Sequence, residues 1–134
     1  MIAEISKRIE QYGAVVDRLS IGREYDNLKL LIDEMEQFKI TDEEIKDDAA
    51  FNYYLGTAYG TYSDYLVRSG KNHTDSDVIE LRRTSMFYLR KGIAAYSPSV
   101  HTDPRAQLRI LTNYARLCQC LYQIFQMNGK DEGG

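Results

Sequence analysis

Apolar residues recur along this chain at helical spacing almost from its first position. Ile2, Ile5, Ile9, Tyr12, Val16 and Leu19 step by three and four residues, which places them on one face of a helix. Gly22 interrupts the pattern, and Tyr25, Leu28, Leu31 or Ile32, Met35 and Phe38 resume it as a second helix. Thr41 and Glu44 have the spacing of a capping box, in which hydroxyl and carboxylate satisfy the orphan amides of a helix start. A third helix is therefore predicted from Thr41 or, after a short irregular piece, from near Asp47. It should run to about Ser69, where Gly70 supplies the left-handed residue that ends many helices. Residues 70–77, GKNHTDSD, are almost free of apolar side chains and read as a loop. Asp77, with Glu80 three residues on, should cap a fourth helix whose buried side is Val78, Leu81, Ser85, Leu89 and Ile93. After SPSVHTDP, Asp103 and Pro104 open a fifth helix, since proline's missing N–H costs nothing at the first helical position. Its apolar stripe is Leu108, Leu111, Ala115, Cys118, Tyr122 and Phe125, and Asn128 with Gly129 ends it.

The pattern predicts an all-α fold of antiparallel helical hairpins, about five helices in a single domain over 1–134. The hairpins are 2–38 and 42–96, the second with an extended loop at 70–77, followed by a capping or half-repeat helix at 104–127. Leu55, Tyr59, Leu89 and Leu111 are expected to be buried between them.

One segment carries an unusual load for a helix. FNYYLGTAYGTYSDYL, residues 51–66, holds five tyrosines and two glycines. Gly56 and Gly60 share a face where a neighbour can come close, and the tyrosines supply large packing area with a polar tip. Aligned on Gly13, Gly56 and Thr112, the odd-numbered helices read IEQYGAVV, NYYLGTAY and LRILTNYA. Leu55, Gly56 and Tyr59, then Ser85, Leu89, Gly92, Ile93 and Pro98, resemble the tetratricopeptide repeat of bacterial proteins. Asn52 stands where that repeat has an aromatic residue, and Thr112 where it has a third glycine. The resemblance implies that the hairpins stack as a short α-solenoid with a concave binding face.

Composition narrows the chemistry. Seventeen Lys and Arg against twenty Asp and Glu leave a net charge of −3, which argues against a dedicated nucleic-acid binder. No apolar run approaches a membrane span, and MIAEISKRIE is acidic where a signal peptide is apolar, so a cytoplasmic protein without a membrane partner is expected. Cys118 and Cys120 lie two apart on a helix, point to nearly opposite sides and cannot bridge each other. There is no phosphate-binding glycine loop, no metal-spaced histidine pair and no nucleophile set, so no catalytic residue, metal or cofactor is expected. Arg68 and His73 have the Arg-x4-His spacing of HEPN-type ribonucleases, although Gly70 between them should break the helix that such enzymes use. That resemblance gives the alternative reading: a ribonuclease-related protein, or the recognition part of a longer protein with its effector domain downstream.

The expected function is non-enzymatic binding of a protein or peptide. In the repeat that this chain resembles, the ligand-facing positions fall at fixed offsets from the glycine. They select Lys7, Glu10, Ala14 and Asp17, then Tyr53, Thr57 and Gly60, then Arg109, Asn113 and Arg116. Pro104 to Met127 holds Arg105, Arg109 and Arg116 and no acidic residue. Tyr53, Thr57, Arg109, Asn113 and Arg116 are thus expected to receive an acidic or carboxylate-bearing partner, guanidinium meeting carboxylate in a bidentate pair. Self-assembly into a homo-oligomer through an exposed solenoid end is a further expectation.

Overall fold

A computed structural model describes residues 1–96 and 104–128, with the side chains of 96, 106, 109, 110, 113 and 126–128 outside the description. All regular structure among the described residues is helical: α1 (Ala3–Ile21), α2 (Tyr25–Lys39), a 3-10 turn (Ile45–Asp47), α3 (Ala49–Arg68), α4 (Ser76–Tyr96) and α5 (Pro104–Asn128). The helices pack against one another as expected of an all-α hairpin arrangement.

Local chemistry accounts for the boundaries. Between α1 and α2 the left-handed residue is Arg23, at φ 56°, and not the neighbouring Gly22. The capping box expected at Thr41 does not form. Thr41 Oγ1 instead donates back to Phe38 O at 2.7 Å, and Asp42 Oδ1 accepts from Glu44 N at 2.9 Å, so 40–48 is a turn closed on itself. The cap of α3 is Asp48, whose carboxylate accepts from Phe51 N at 2.9 Å. Asn52 is fully buried and donates to Lys46 O and Asp48 O. It ties the turn to the helix. Gly70 takes φ +113° beyond the end of α3, a value that other residues reach only with strain. α4 begins at Ser76, one residue before the expected cap. The Asp77 carboxylate accepts from Val78 N and pairs with Lys71 Nζ at 2.8 Å.

α3 is the centre of the fold. Its contacts with α2 run antiparallel, Tyr25 stacking on Tyr65 and Glu36 reaching Tyr59. The same holds for α4, where Tyr59 stacks on Tyr88 and Asp64 meets Arg82. α5 runs parallel to it, Thr61 meeting Arg116 and Asp64 meeting Gln123. Three glycines make the approaches possible. The Tyr54 ring lies on Gly13, where a Cβ would overlap it. A Cβ on Gly56 would lie 2.9 Å from Leu89 Cγ, and one on Gly60 2.6 Å from Arg116 Nη2. Ser85 Oγ donates to Gly56 O at 2.6 Å across the same gap.

The main core gathers Ile9, Val16, Leu28, Ile32, Phe51 and Leu55 between the first three helices. A smaller cluster of Met86, Cys120 and Ile124 joins α4 to α5. Leu55 and Leu89 are fully buried and Tyr59 is half-buried, as expected. Leu111 is not: it is 67% exposed, and Leu108, Ala115, Cys118, Tyr122 and Phe125 are exposed beside it. α5 carries a second apolar set, Leu117, Cys120, Leu121 and Ile124, and that set faces the core. Periodicity alone could not choose between them. In the structure the inner set packs on Met86 of α4 while the Arg116 guanidinium fills the space over Gly60 of α3.

Leu89→Ala should therefore cost about 2–5 kcal/mol by leaving a cavity, whereas Leu111→Ala should stay within about 0.5 kcal/mol of wild type. Urea denaturation of the two variants, in solution dilute enough to keep the chain monomeric, checks both values.

Candidate functional site

Three alternate helices share one groove of about 420 Å³, lined by Glu10, Gly13, Ala14 and Asp17 of α1, Tyr53 and Tyr54 of α3, and Leu108 and Thr112 of α5. Each wall has its own chemistry. α1 brings carboxylates, α3 aromatic rings, and α5 an apolar side chain beside a hydroxyl. Tyr54 is the fixed point: its ring rests on Gly13 and its hydroxyl donates to Glu10 Oε2 at 2.9 Å. Tyr53 meets that ring edge-on at 5.6 Å and stays half-buried at the groove surface.

The expected binding residues are only partly gathered here. Glu10, Ala14, Asp17 and Tyr53 line the groove. Thr57 is half-buried, and its Oγ1 has no hydrogen-bond partner among the described residues. Arg116 turns away from the open face. Its guanidinium donates to Gln119 Oε1 at 2.9 Å and Thr61 Oγ1 at 3.3 Å and lies 3.7 Å from Asp64 Oδ2. The side chains of Arg109 and Asn113 lie outside the described residues, as does all of His101.

Asp64 holds together a polar cluster where α3, α4 and α5 meet. Arg82, with its side chain 1% exposed, lies 3.3 Å from Asp64 Oδ1, and Gln123 Nε2 donates to the same oxygen at 3.2 Å. A buried arginine in an otherwise apolar stripe escaped the sequence reading. Its signal was Arg82 itself, four residues after Val78 and three before Ser85 and so on the buried stripe in place of the half-buried Leu81, with Asp64 the carboxylate available to meet it. Arg82 Nη1 also lies 2.9 Å from His73 Nδ1. Because a guanidinium only donates, that nitrogen accepts and the imidazole proton sits on Nε2. Arg68 is engaged elsewhere, its guanidinium 2.8 Å from Tyr25 Oη. The structure thus directs Arg68 and His73 to different partners.

A second network joins α2, α3 and α4 on the opposite side. Glu36 accepts from Tyr59 Oη at 2.6 Å and Tyr88 Oη at 2.7 Å, and pairs with Lys39 Nζ at 2.8 Å. Burial pushes its carboxyl up, but the hydrogen bonds from Lys39, Tyr59 and Tyr88 and the Lys39 charge outweigh this and leave it below its ordinary value. Both phenols are pushed up, first by burial and then by that carboxylate. They remain neutral donors throughout the physiological range. Burial likewise raises the Cys120 thiol, which makes it a poor nucleophile.

Among the described residues no group of three ligating side chains could hold a metal, and no helix is long and apolar enough to cross a membrane. Comparison with protein-family models, curated proteins and solved structures returns no match.

Asp64→Asn should destabilise the chain by about 3 kcal/mol, because it removes the negative charge facing two arginines withdrawn from water; thermal unfolding checks this. Glu36 gives a pH signature. Its carboxyl is depressed on folding, so its stabilisation is complete above the ordinary carboxylate value and is lost as pH falls through the lower folded-state value. Glu36→Gln should accordingly be less stable than wild type at neutral pH by about 1–2 kcal/mol, and the gap should close on acidification in paired denaturation curves.

Proposed function

We propose that this chain is a non-enzymatic protein-binding module, a tetratricopeptide-like helical repeat that holds an extended segment of a partner protein in the groove between α1, α3 and α5. The observation that carries this reading is the groove's construction. Glu10 and Tyr53, each three residues before the glycine of its helix, converge on one concavity with Ala14, Asp17 and Tyr54 and with Leu108 and Thr112, the latter aligned with those glycines. A concavity that sets aromatic and apolar side chains among a few placed polar groups is suited to recognition. Tyr53 and Tyr54 add rigid area at small entropic cost, since each has only two side-chain torsions to fix.

An acidic segment was expected from Arg109, Asn113 and Arg116. Arg116 is drawn toward Asp64, a carboxylate it shares with Arg82, and the described charges at the groove are Glu10 and Asp17. The reading favoured by these residues is a segment that sets a basic side chain against α1 and an apolar one against Leu108 and Tyr53. Such a contact weakens with added salt. The cytoplasm is the compartment we propose for it.

Ala14 is exposed, so Ala14→Arg should leave the fold intact while halving the negative charge of the α1 wall and obstructing the groove. Wild type immobilised against extract of the source cell should retain a partner that Ala14→Arg and Tyr53→Ala lose, and a peptide from that partner should titrate wild type alone. Equal retention by all three proteins, with unchanged circular dichroism, would remove the groove from the account.

A further inference from the structure

The exposed stripe of α5 has a regularity that the groove does not use. Leu108, Leu111, Ala115, Cys118, Tyr122 and Phe125 follow one another at steps of three, four, three, four and three, the period of a two-helix seam. Leu108 and Leu111 are 65% and 67% exposed, Tyr122 is 61% and Phe125 39%, and Tyr114 beside them is 51%. Side chains of these types at such exposures leave on the order of 600 Å² of apolar surface uncovered. That is the upper end of what a monomer ordinarily shows, and close to the about 800 Å² per partner of a stable interface.

We infer that this stripe pairs with the α5 of a second copy of the chain, the two helices antiparallel. The order of steps reads the same from either end, so an antiparallel copy brings every member into register: Leu108 opposite Phe125, Leu111 opposite Tyr122, and Ala115 opposite Cys118. The small pair falls at the centre and the large residues at the two ends. Helix axes come closest where contact side chains are small, so the central layer permits close approach while the outer layers fill the widening gap. Charge points the same way. The positions flanking the stripe between 112 and 126 are Thr112, Tyr114, Gln119, Leu121 and Gln126, none of them ionisable to a cation or a carboxylate. Arg116 is withdrawn toward Asp64 with its side chain 18% exposed. Two copies of this basic helix thus meet without burying like charges against each other, and nothing on the stripe offers a charged partner a counter-ion. Leu108 is shared between seam and groove, so pairing brings residues of the second copy to the groove's edge.

Sedimentation equilibrium of the purified chain tests the inference. The wild type should form dimers, and Leu111→Glu and Tyr122→Glu should each weaken association by about thirtyfold or more, the loss expected at a buried hot spot. Both sites are exposed, so both variants should keep the wild-type circular dichroism. Ala115→Cys should form an intermolecular disulfide with Cys118 on mild oxidation. Ala14→Arg, which tests the groove, should remain dimeric. A monomeric wild type, a dimer indifferent to the two glutamates, or a monomer that instead captures an amphipathic helix of another protein would each overturn the inference.

Discussion

The helices around α3 approach it within the space of a missing side chain, and the rest of the molecule is arranged around those approaches. Tyr54 of α3 lies on Gly13 of α1, Leu89 of α4 on Gly56 and Arg116 of α5 on Gly60. Interhelical distance is set by the side chains at the contact, so a Cβ on Gly56, which would meet Leu89 down to its backbone nitrogen, would push α3 and α4 apart, while one on Gly13 or Gly60 would displace the Tyr54 ring or the Arg116 guanidinium. The glycines also cost helix propensity, roughly 1 kcal/mol each relative to alanine. Packing of large side chains into the vacated space offsets that cost. The tyrosine-rich segment is explained by the same contacts, since the rings occupy the gaps to either side.

The groove inherits its shape from this arrangement. Tyr54 reaches across to Gly13 and Glu10 and thereby fixes the separation of α1 from α3. Arg116 does the equivalent on the other side, pulled down onto Gly60 by the Asp64 carboxylate. A guanidinium that seats one helix on another is not available to a ligand. Among the described residues, Arg116 is held in the helix contact near Asp64, which also faces Arg82, and the carboxylates of α1 are the charges that line the groove.

The number, order and approximate limits of the helices could be read from apolar spacing, because each segment has a continuous stripe and Asp, Gly or Pro near its ends. Gly56 and Gly60 could also be recognised as points of close approach. Thr41 misled because a capping box needs a following amide to remain free, and here the hydroxyl turns back to Phe38 instead. α5 misled for a different reason. It carries apolar residues on two faces, and the better-spaced set is the one left outside. The inner face also carries polar contacts, Arg116 near Asp64 and Cys120 beside Ser85, and hydrophobic periodicity contains no record of them. Of the groove, the α1 positions and Tyr53 could be placed from the repeat offsets alone. Leu108 and Thr112 could not, since their wall depends on how α5 is turned.

The two cysteines report that rotation directly, because they lie on opposite faces of α5. Cys118 is exposed and Cys120 is buried beside Ser85. Labelling of the native chain with a thiol reagent, in solution dilute enough to keep it monomeric, followed by mass mapping, should modify Cys118 rapidly and Cys120 only on unfolding. Rapid modification of Cys120 with protection of Cys118 would mean that the Leu108 to Phe125 stripe faces the core, and would contradict the seating of Arg116 on Gly60 from which the groove and the seam both follow.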